Sequence, residues 1–159
     1  MRIILSLLFL FAFAISVAAQ TNEAQKLDEF TKLPCDDLLA RADAALTEAS
    51  KIENAKIYLI YYEGAYTNYK TEIVNPVRGD ALNFTKAISL YMTKWRKFPR
   101  ERIVLVDGGY MKNYETEIWI VPPSAEPPRP TPSLEKKDIK FRKGKPVPVR
   151  DCEGYYRSI

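Results

Sequence analysis

Ile57-Tyr58-Leu59-Ile60-Tyr61-Tyr62 is apolar or aromatic at every position. A strand with one face in water alternates polar and apolar residues, so a strand without alternation needs cover on both faces. Ile103-Val104-Leu105-Val106 repeats the pattern. Between the two runs, Ala81, Phe84, Thr85, Ile88, Tyr91, Met92 and Trp95 recur at helical spacing. Asn75 reads as the N-cap of that helix and Pro76 as its first residue. Strand, helix, strand at this spacing predicts a right-handed βαβ unit, its strands parallel and adjacent or nearly so at the centre of one sheet.

The flanking segments extend this α/β pattern. Leu27 to Leu33 reads as an edge strand. Pro34-Cys35-Asp36-Asp37 opens a first helix, with acidic residues at its positive end, and Leu38, Leu39, Ala42, Ala45, Leu46 and Ala49 carry it to about Ser50. Glu63 to Val74 is expected as a polar loop, Arg96 to Arg102 as a basic turn, and Asp107-Gly108-Gly109 as the turn ending the second strand. Tyr114 to Val121 is a third strand, antiparallel to the second because the connection is short. Pro122-Pro123 stops it and an extended proline-rich spacer runs to Pro132, with one further short strand at Ile139-Lys140-Phe141. The fold class is two helices on a small mixed sheet, followed by a proline-rich basic C-terminal tail.

The amino terminus sets the compartment. Met1-Arg2, the apolar run Ile3–Val17 and the small residues Val17-Ala18-Ala19 read as a secretory signal peptide over 1–19, cleaved after Ala19. The run is short for a retained anchor across a ~30 Å hydrocarbon core. The organisation expected is therefore a signal peptide over 1–19, an α/β domain over 20–121 and a tail over 122–159. A periplasmic or secreted chain with no transmembrane segment after cleavage follows. In that setting the two cysteines, Cys35 and Cys152, most simply form one disulfide tying the tail to the first helix, worth ~4 kcal/mol in the chain-entropy model. Two free thiols or a bond to another chain are the alternatives.

Catalysis has little to work with. The chain has no histidine, the commonest general base and metal ligand at neutral pH. No Gly-x-Ser-x-Gly elbow frames a serine. Glu115 and Glu117 share one strand face at a spacing glycosidase chemistry could use, though a solvated strand face has the same pattern. A hydrolase built on Asp107, Glu63 or Glu117 is the enzymatic alternative. The reading is a protein that is not an enzyme, with no cofactor, no metal and no nucleic-acid partner. Asn83-Phe84-Thr85 matches the glycosylation sequon but falls within a predicted helix.

Ligands of open α/β sheets sit beyond the carboxyl ends of the parallel strands. Glu63, Tyr66, Asn68, Tyr69, Arg78, Asp107 and Tyr110 gather there, beside the helix start at Asn75, whose free N–H groups favour anions. The set suits a sugar, peptide or protein surface; equally, its tyrosines could simply cover the sheet edge. Charge is also concentrated: Arg129 to Arg150 holds eight Lys or Arg against two Asp or Glu. Such a tail is either a site for anionic surfaces or a solvated linker.

The order of elements resembles the OmpA C-terminal-like periplasmic domain over about Leu27 to Val121. Tyr66-Thr67-Asn68 is similar to that family's Gly-Tyr-Thr-Asp element, with Asn68 in place of its ligand-binding aspartate. The helix Asn75–Met92 and Arg102-Ile103-Val104 are similar to its long helix and next strand. The resemblance implies a βαβαββ sandwich that binds peptidoglycan. Aligned through Tyr91-Met92, however, Phe84 replaces the arginine that clamps the wall peptide's carboxylate. The chain also resembles a loose group of exported bacterial proteins sharing a Pro-Cys-acidic helix start, a Gly-Gly-Tyr turn and a Trp-Ile-Val-Pro-Pro strand end. The function expected is an exported non-catalytic binding module contacting a cell-envelope polymer or envelope protein. The alternative is a protein-interaction or structural domain working through its proline-rich tail.

Overall fold

The computed structural model describes residues 23–149 except Tyr69, so the expected signal peptide over 1–19, Tyr69 and Cys152 lie outside the described residues. Seven regular elements follow in order: β1 (Gln25–Phe30), α1 (Cys35–Ser50), β2 (Lys56–Thr67), β3 (Ile73–Val74), α2 (Asp80–Leu90), β4 (Ile103–Asn113) and β5 (Glu115–Val121). The sheet is mixed. β2 is central, with β5 antiparallel on one side and β4 parallel on the other; β1 adds outside β5, and β3 pairs with the far end of β2. No helix among the described residues is long and apolar enough to cross a membrane.

The parallel pairing follows the expected βαβ logic, with Ile57 beside Ile103 and Ile60 beside Val106. β4, however, has only β2 as a strand partner over its length, so it is an edge and not a central strand. The helices cover one face. Ala42, Ala45 and Ala49 of α1 are fully buried, as are Ile57, Leu59 and Ile118 of the sheet, and Ile88 and Met92 join the same core. Alanines at this spacing let the helix lie close to the strands. Alternation sends Ile60 and Tyr62 to the opposite face, yet both are fully buried. Their cover is the proline-rich segment. Val121 lies beside Lys56 at the start of β2, and by Thr131 the chain has returned to its other end, where the Thr131 N–H donates to the Tyr62 hydroxyl at 3.1 Å.

Several boundaries differ from the sequence reading. Glu63 to Val74 is not a loop: β2 continues to Thr67 and turns back through β3, so the strand doubles in length. Asp107-Gly108-Gly109 does not end β4. Gly109 takes a left-handed conformation (φ 88°), the pairing with β2 shifts register, and the strand runs on to Asn113. The last helix starts at Asp80 rather than Pro76, because the left-handed Gly79 (φ 94°) interrupts it and the Asp80 carboxylate takes the Val77 N–H at 2.7 Å. It ends in a π-helical turn, Tyr91–Trp95. The first strand is Gln25–Phe30, two to three residues earlier than expected. Ile139-Lys140-Phe141 forms no strand; the tail instead makes a single antiparallel bridge, Leu134 to Tyr110.

β4 and β5 are antiparallel in direction but do not form a hairpin. β2 lies between them, so the link at Tyr114 crosses over it: Asn113 pairs with Ala65 on one side, and Glu115 with Tyr62 on the other. The crossing passes Gly64, where an added Cβ would lie 2.3 Å from the Asn113 carbonyl carbon.

Candidate functional site

The carboxyl ends of β2 and β4 bring most of the expected rim residues to one end of the molecule, and each is already engaged. Glu63 is buried and accepts N–H bonds from Gly79 (3.1 Å) and Ala81 (3.2 Å), capping α2 from across the sheet. Its burial pushes the carboxyl above the ordinary range, against those two hydrogen bonds. Tyr66 is buried, its ring edge-on to Phe84 at 5.0 Å, and burial raises its phenol. Asp107 accepts the Gly109 N–H at 2.9 Å and holds the turn in β4. Asn68 stands apart at the tip of the β2–β3 hairpin, where its side-chain oxygen accepts the N–H groups of Lys70 (2.8 Å) and Glu72 (3.0 Å). It shapes that turn and faces no shared pocket with Glu63. Tyr69 lies outside the described residues.

The tail closes what remains. Ser133 and Leu134 donate to the Tyr110 carbonyl at 3.2 and 3.1 Å. The Phe141 ring sits between the Tyr110 ring (6.2 Å) and the Arg78 guanidinium (5.4 Å). Arg142 reaches past it, donating to the Asn75 carbonyl at 2.5 Å and to the Tyr66 hydroxyl at 3.2 Å, while its own N–H bonds the Pro76 carbonyl at 2.8 Å. Further on, the Val147 N–H donates to the fully buried Asp80 at 2.7 Å, and the Val147 carbonyl accepts from Asn83 at 2.8 Å. The start of α2, expected to receive an anion, is occupied by Glu63, Asp80 and the tail. What a ligand would have met at this rim is met by the chain itself.

Phe84, which replaces the wall-clamping arginine of the resembled family, packs between Tyr66 and Tyr114, at 5.0 and 5.1 Å. It is an aromatic core residue, with no charge to offer a carboxylate. Behind it a buried hydroxyl network links Thr85 to Thr116 at 3.0 Å and Tyr114 to Thr116 at 2.6 Å.

Two other features lie away from the rim. Glu29, Glu115 and Glu117 place carboxylate oxygens within 4.8 Å of one another. Glu117 is nevertheless committed: the Lys26 ammonium lies 2.7 Å away and the Trp119 indole donates to it at 2.8 Å. Lys26 also pairs with Glu29 at 2.9 Å, and these bonds hold its ammonium well above the usual lysine range. A lysine thus fills the position a cation would take, and the Glu115–Glu117 pair is tied into strand structure. The second feature is a cavity of about 90 Å³ between the β1–α1 turn, α2 and the tail, lined by Phe30, Leu33, Cys35, Leu38, Phe84 and Val147. Its lining is mostly apolar.

The residues that sequence reasoning missed are Asp80 and Arg142. A signal for the second was present, since Phe141-Arg142 interrupts a polar tail with an aromatic side chain. Asp80 carried none, because an aspartate near a helix start reads as an ordinary cap.

Glu63 has a measurable pH signature. Its folded-state pKa is raised, so the native state binds a proton more readily than the unfolded chain and stability from this group falls as pH rises through the folded value. Replacing it with glutamine is expected to flatten that part of the profile: wild type should gain more stability than Glu63→Gln between pH 7 and pH 5 in urea melts. Parallel profiles would show that the carboxyl is not perturbed.

No family model matches this chain, and neither a curated protein nor a solved structure matches it.

Proposed function

We propose that the protein is an exported, non-catalytic binding module of OmpA-like architecture that contacts anionic cell-envelope material through the outer face of its own tail. The observation that carries this reading is the closed rim. With Glu63 and Tyr66 buried, Tyr110 bridged by the tail and the exposed Asp107 bonded to its own turn, the tail forms much of the outward surface at this end, and Lys136, Lys140, Lys143 and Lys145 stand exposed along it. A tail held at several points presents its charges in a fixed array, which a solvated linker would not. The OmpA-like assignment is supported by the order strand, helix, strand, helix, strand, strand with the second and third long strands parallel neighbours, to which the short β3 is an addition. Conventional recognition of a zwitterionic wall amino acid finds no support at Asn68 and Phe84. The localisation rests on the signal-like residues 1–19.

Exposed charges are screened over ~8 Å at physiological ionic strength, so this binding should weaken as salt rises. The chain from Gln20 onward, which contains every described residue, would be sedimented with purified acidic wall polymer at low and high salt. The same assay on a variant with Lys136, Lys140, Lys143 and Lys145 changed to glutamine should show binding largely lost. Salt-insensitive binding to intact peptidoglycan, unchanged in that variant, would overturn the reading.

A Cys35–Cys152 disulfide belongs to the same proposal. Cys35 begins α1 and lines the cavity that Val147 also lines, which brings the tail to within five residues of Cys152 at that point. Mass spectrometry of unreduced digests of exported protein should find the linked pair; two alkylatable thiols would contradict it.

A further inference from the structure

A second surface lies at the opposite end of the strands from the tail, in the segment between α2 and β4. Its backbone departs from regular geometry twice in a few residues. The π-helical turn Tyr91–Trp95 is closed by the Arg96 N–H on the Tyr91 carbonyl at 3.2 Å, and Lys97 adopts a left-handed conformation (φ 56°). A π-turn shifts the helical phase by one residue, and a left-handed lysine is strained by about 1 kcal/mol. The shift keeps Tyr91 and Met92 in the core while Trp95 remains 38% exposed, a cost in apolar surface.

The segment is also rigidly held and basic. Phe98 packs against the core, and Arg102 lies over its ring at 4.7 Å while donating to the Ala55 and Ala49 carbonyls at 2.7 and 3.1 Å. Arg96 is engaged by Asp43 and donates to the Tyr91 hydroxyl at 2.7 Å. Lys94, Lys97 and Arg100 are exposed along the segment, and Glu101 is its acidic residue. Lys94 sits 5.1 Å from the Trp95 ring centre, so the indole is flanked by positive charge.

We infer that this loop, Lys94 to Arg100, is a docking surface for an anionic phospholipid bilayer. An indole with a polar edge and an apolar body partitions to the headgroup boundary, and flanking lysine and arginine side chains pair with anionic headgroups while their stems lie along apolar surface. A soluble polyanion would use the cations but gain little from an exposed tryptophan held out by a strained turn. Because the loop adjoins Ile103, beside Ile57, and the tail covers the strand ends past Tyr62, the two surfaces face opposite ways along β2. One molecule can therefore touch a membrane at one end and a polymer at the other. This surface does not depend on the tail reading.

The test uses the chain from Gln20 onward carrying Trp119→Phe, which leaves Trp95 as the remaining tryptophan of the two in the sequence. It is titrated with vesicles of phosphatidylglycerol and phosphatidylcholine, and with phosphatidylcholine alone. Expected are a blue shift of Trp95 emission and its quenching by brominated lipid, with anionic vesicles at low salt. Lys97→Gln with Arg100→Gln should weaken binding about tenfold or more, at roughly 1 kcal/mol per cation near an anionic surface. The four-lysine tail variant should keep the Trp95 response. Flotation of wild type against Trp95→Ala reads the same contact without the Trp119 change. Absence of a Trp95 response to anionic vesicles would overturn the inference. So would vesicle binding that the tail variant abolishes and the loop variant does not, or a loop that binds soluble wall polymer but no vesicle.

Discussion

Gly64→Ala is expected to lower the urea midpoint of unfolding far below that of wild type. The new methyl group would lie 2.3 Å from the Asn113 carbonyl carbon, 2.5 Å from its oxygen and 2.6 Å from the Met111 carbonyl oxygen. All three are backbone atoms of the strand and crossing that pass over β2, so no side chain can rotate away. Relief requires moving the β4–β5 link, which the Tyr114 N–H bond to the Ala65 carbonyl (2.7 Å) also fixes. A loss on the order of 4 kcal/mol, against a typical total of roughly 5–15, follows. Gly108→Ala is the comparison: its methyl would meet side-chain rather than backbone atoms, the buried Tyr62 ring at 2.5 Å and Ile60 at 2.9 Å, and about 1–3 kcal/mol of overpacking is expected. Urea denaturation reads both. Equal midpoints for Gly64→Ala and wild type would show that β4 and β5 do not straddle β2 there.

Asp80→Ala has the next largest expected effect, and it acts on the tail as well as on stability. The fully buried carboxylate accepts the Val77 and Val147 N–H groups, each at 2.7 Å. Alanine leaves those donors unpaired in the interior, at about 1–3 kcal/mol per buried group, so a total near 3 kcal/mol is expected. The tail should loosen first: limited proteolysis of Asp80→Ala should cut between Lys140 and Lys145 at protease levels that leave wild type intact. Asp80→Asn retains an acceptor and should fall between the two. Identical cleavage of all three would mean that Asp80 does not hold the tail.

The parts of the fold readable from sequence were those where one residue type has one structural consequence. Ile57–Tyr62 and Ile103–Val106 could only be strands with two covered faces, and the alanines of α1 could only line a close helix–sheet contact. Where the reading stopped short, distant residues decided. Gly108-Gly109 is ordinary turn chemistry, yet here it bends a strand that continues because β2 remains beside it. Asn75-Pro76 is an ordinary helix start, overruled by Glu63 and Asp80 capturing the N–H groups of Gly79, Ala81 and Val77. The rim residues Glu63, Tyr66, Asp107 and Tyr110 were expected in loops and a turn beyond the strands but lie within the longer β2 and β4, and their engagement was not legible. Prolines and lysines in a long C-terminal stretch carry no sign of where they will pack, and the contacts that fasten the tail rest on single residues such as Phe141 and Arg142.

The central claim is that the tail closes the rim, and amide hydrogen exchange on the chain from Gln20 onward tests it most directly. Among the tail N–H groups bonded to the body of the domain, three are well separated along the chain: Thr131 to the Tyr62 hydroxyl, Arg142 to the Pro76 carbonyl and Val147 to Asp80. These should exchange far more slowly than an unstructured chain, and Arg142→Ala should speed exchange near residue 142 while β2 stays protected. Exchange at unstructured rates at all three positions, with β2 protected, would mean that the tail does not close the rim.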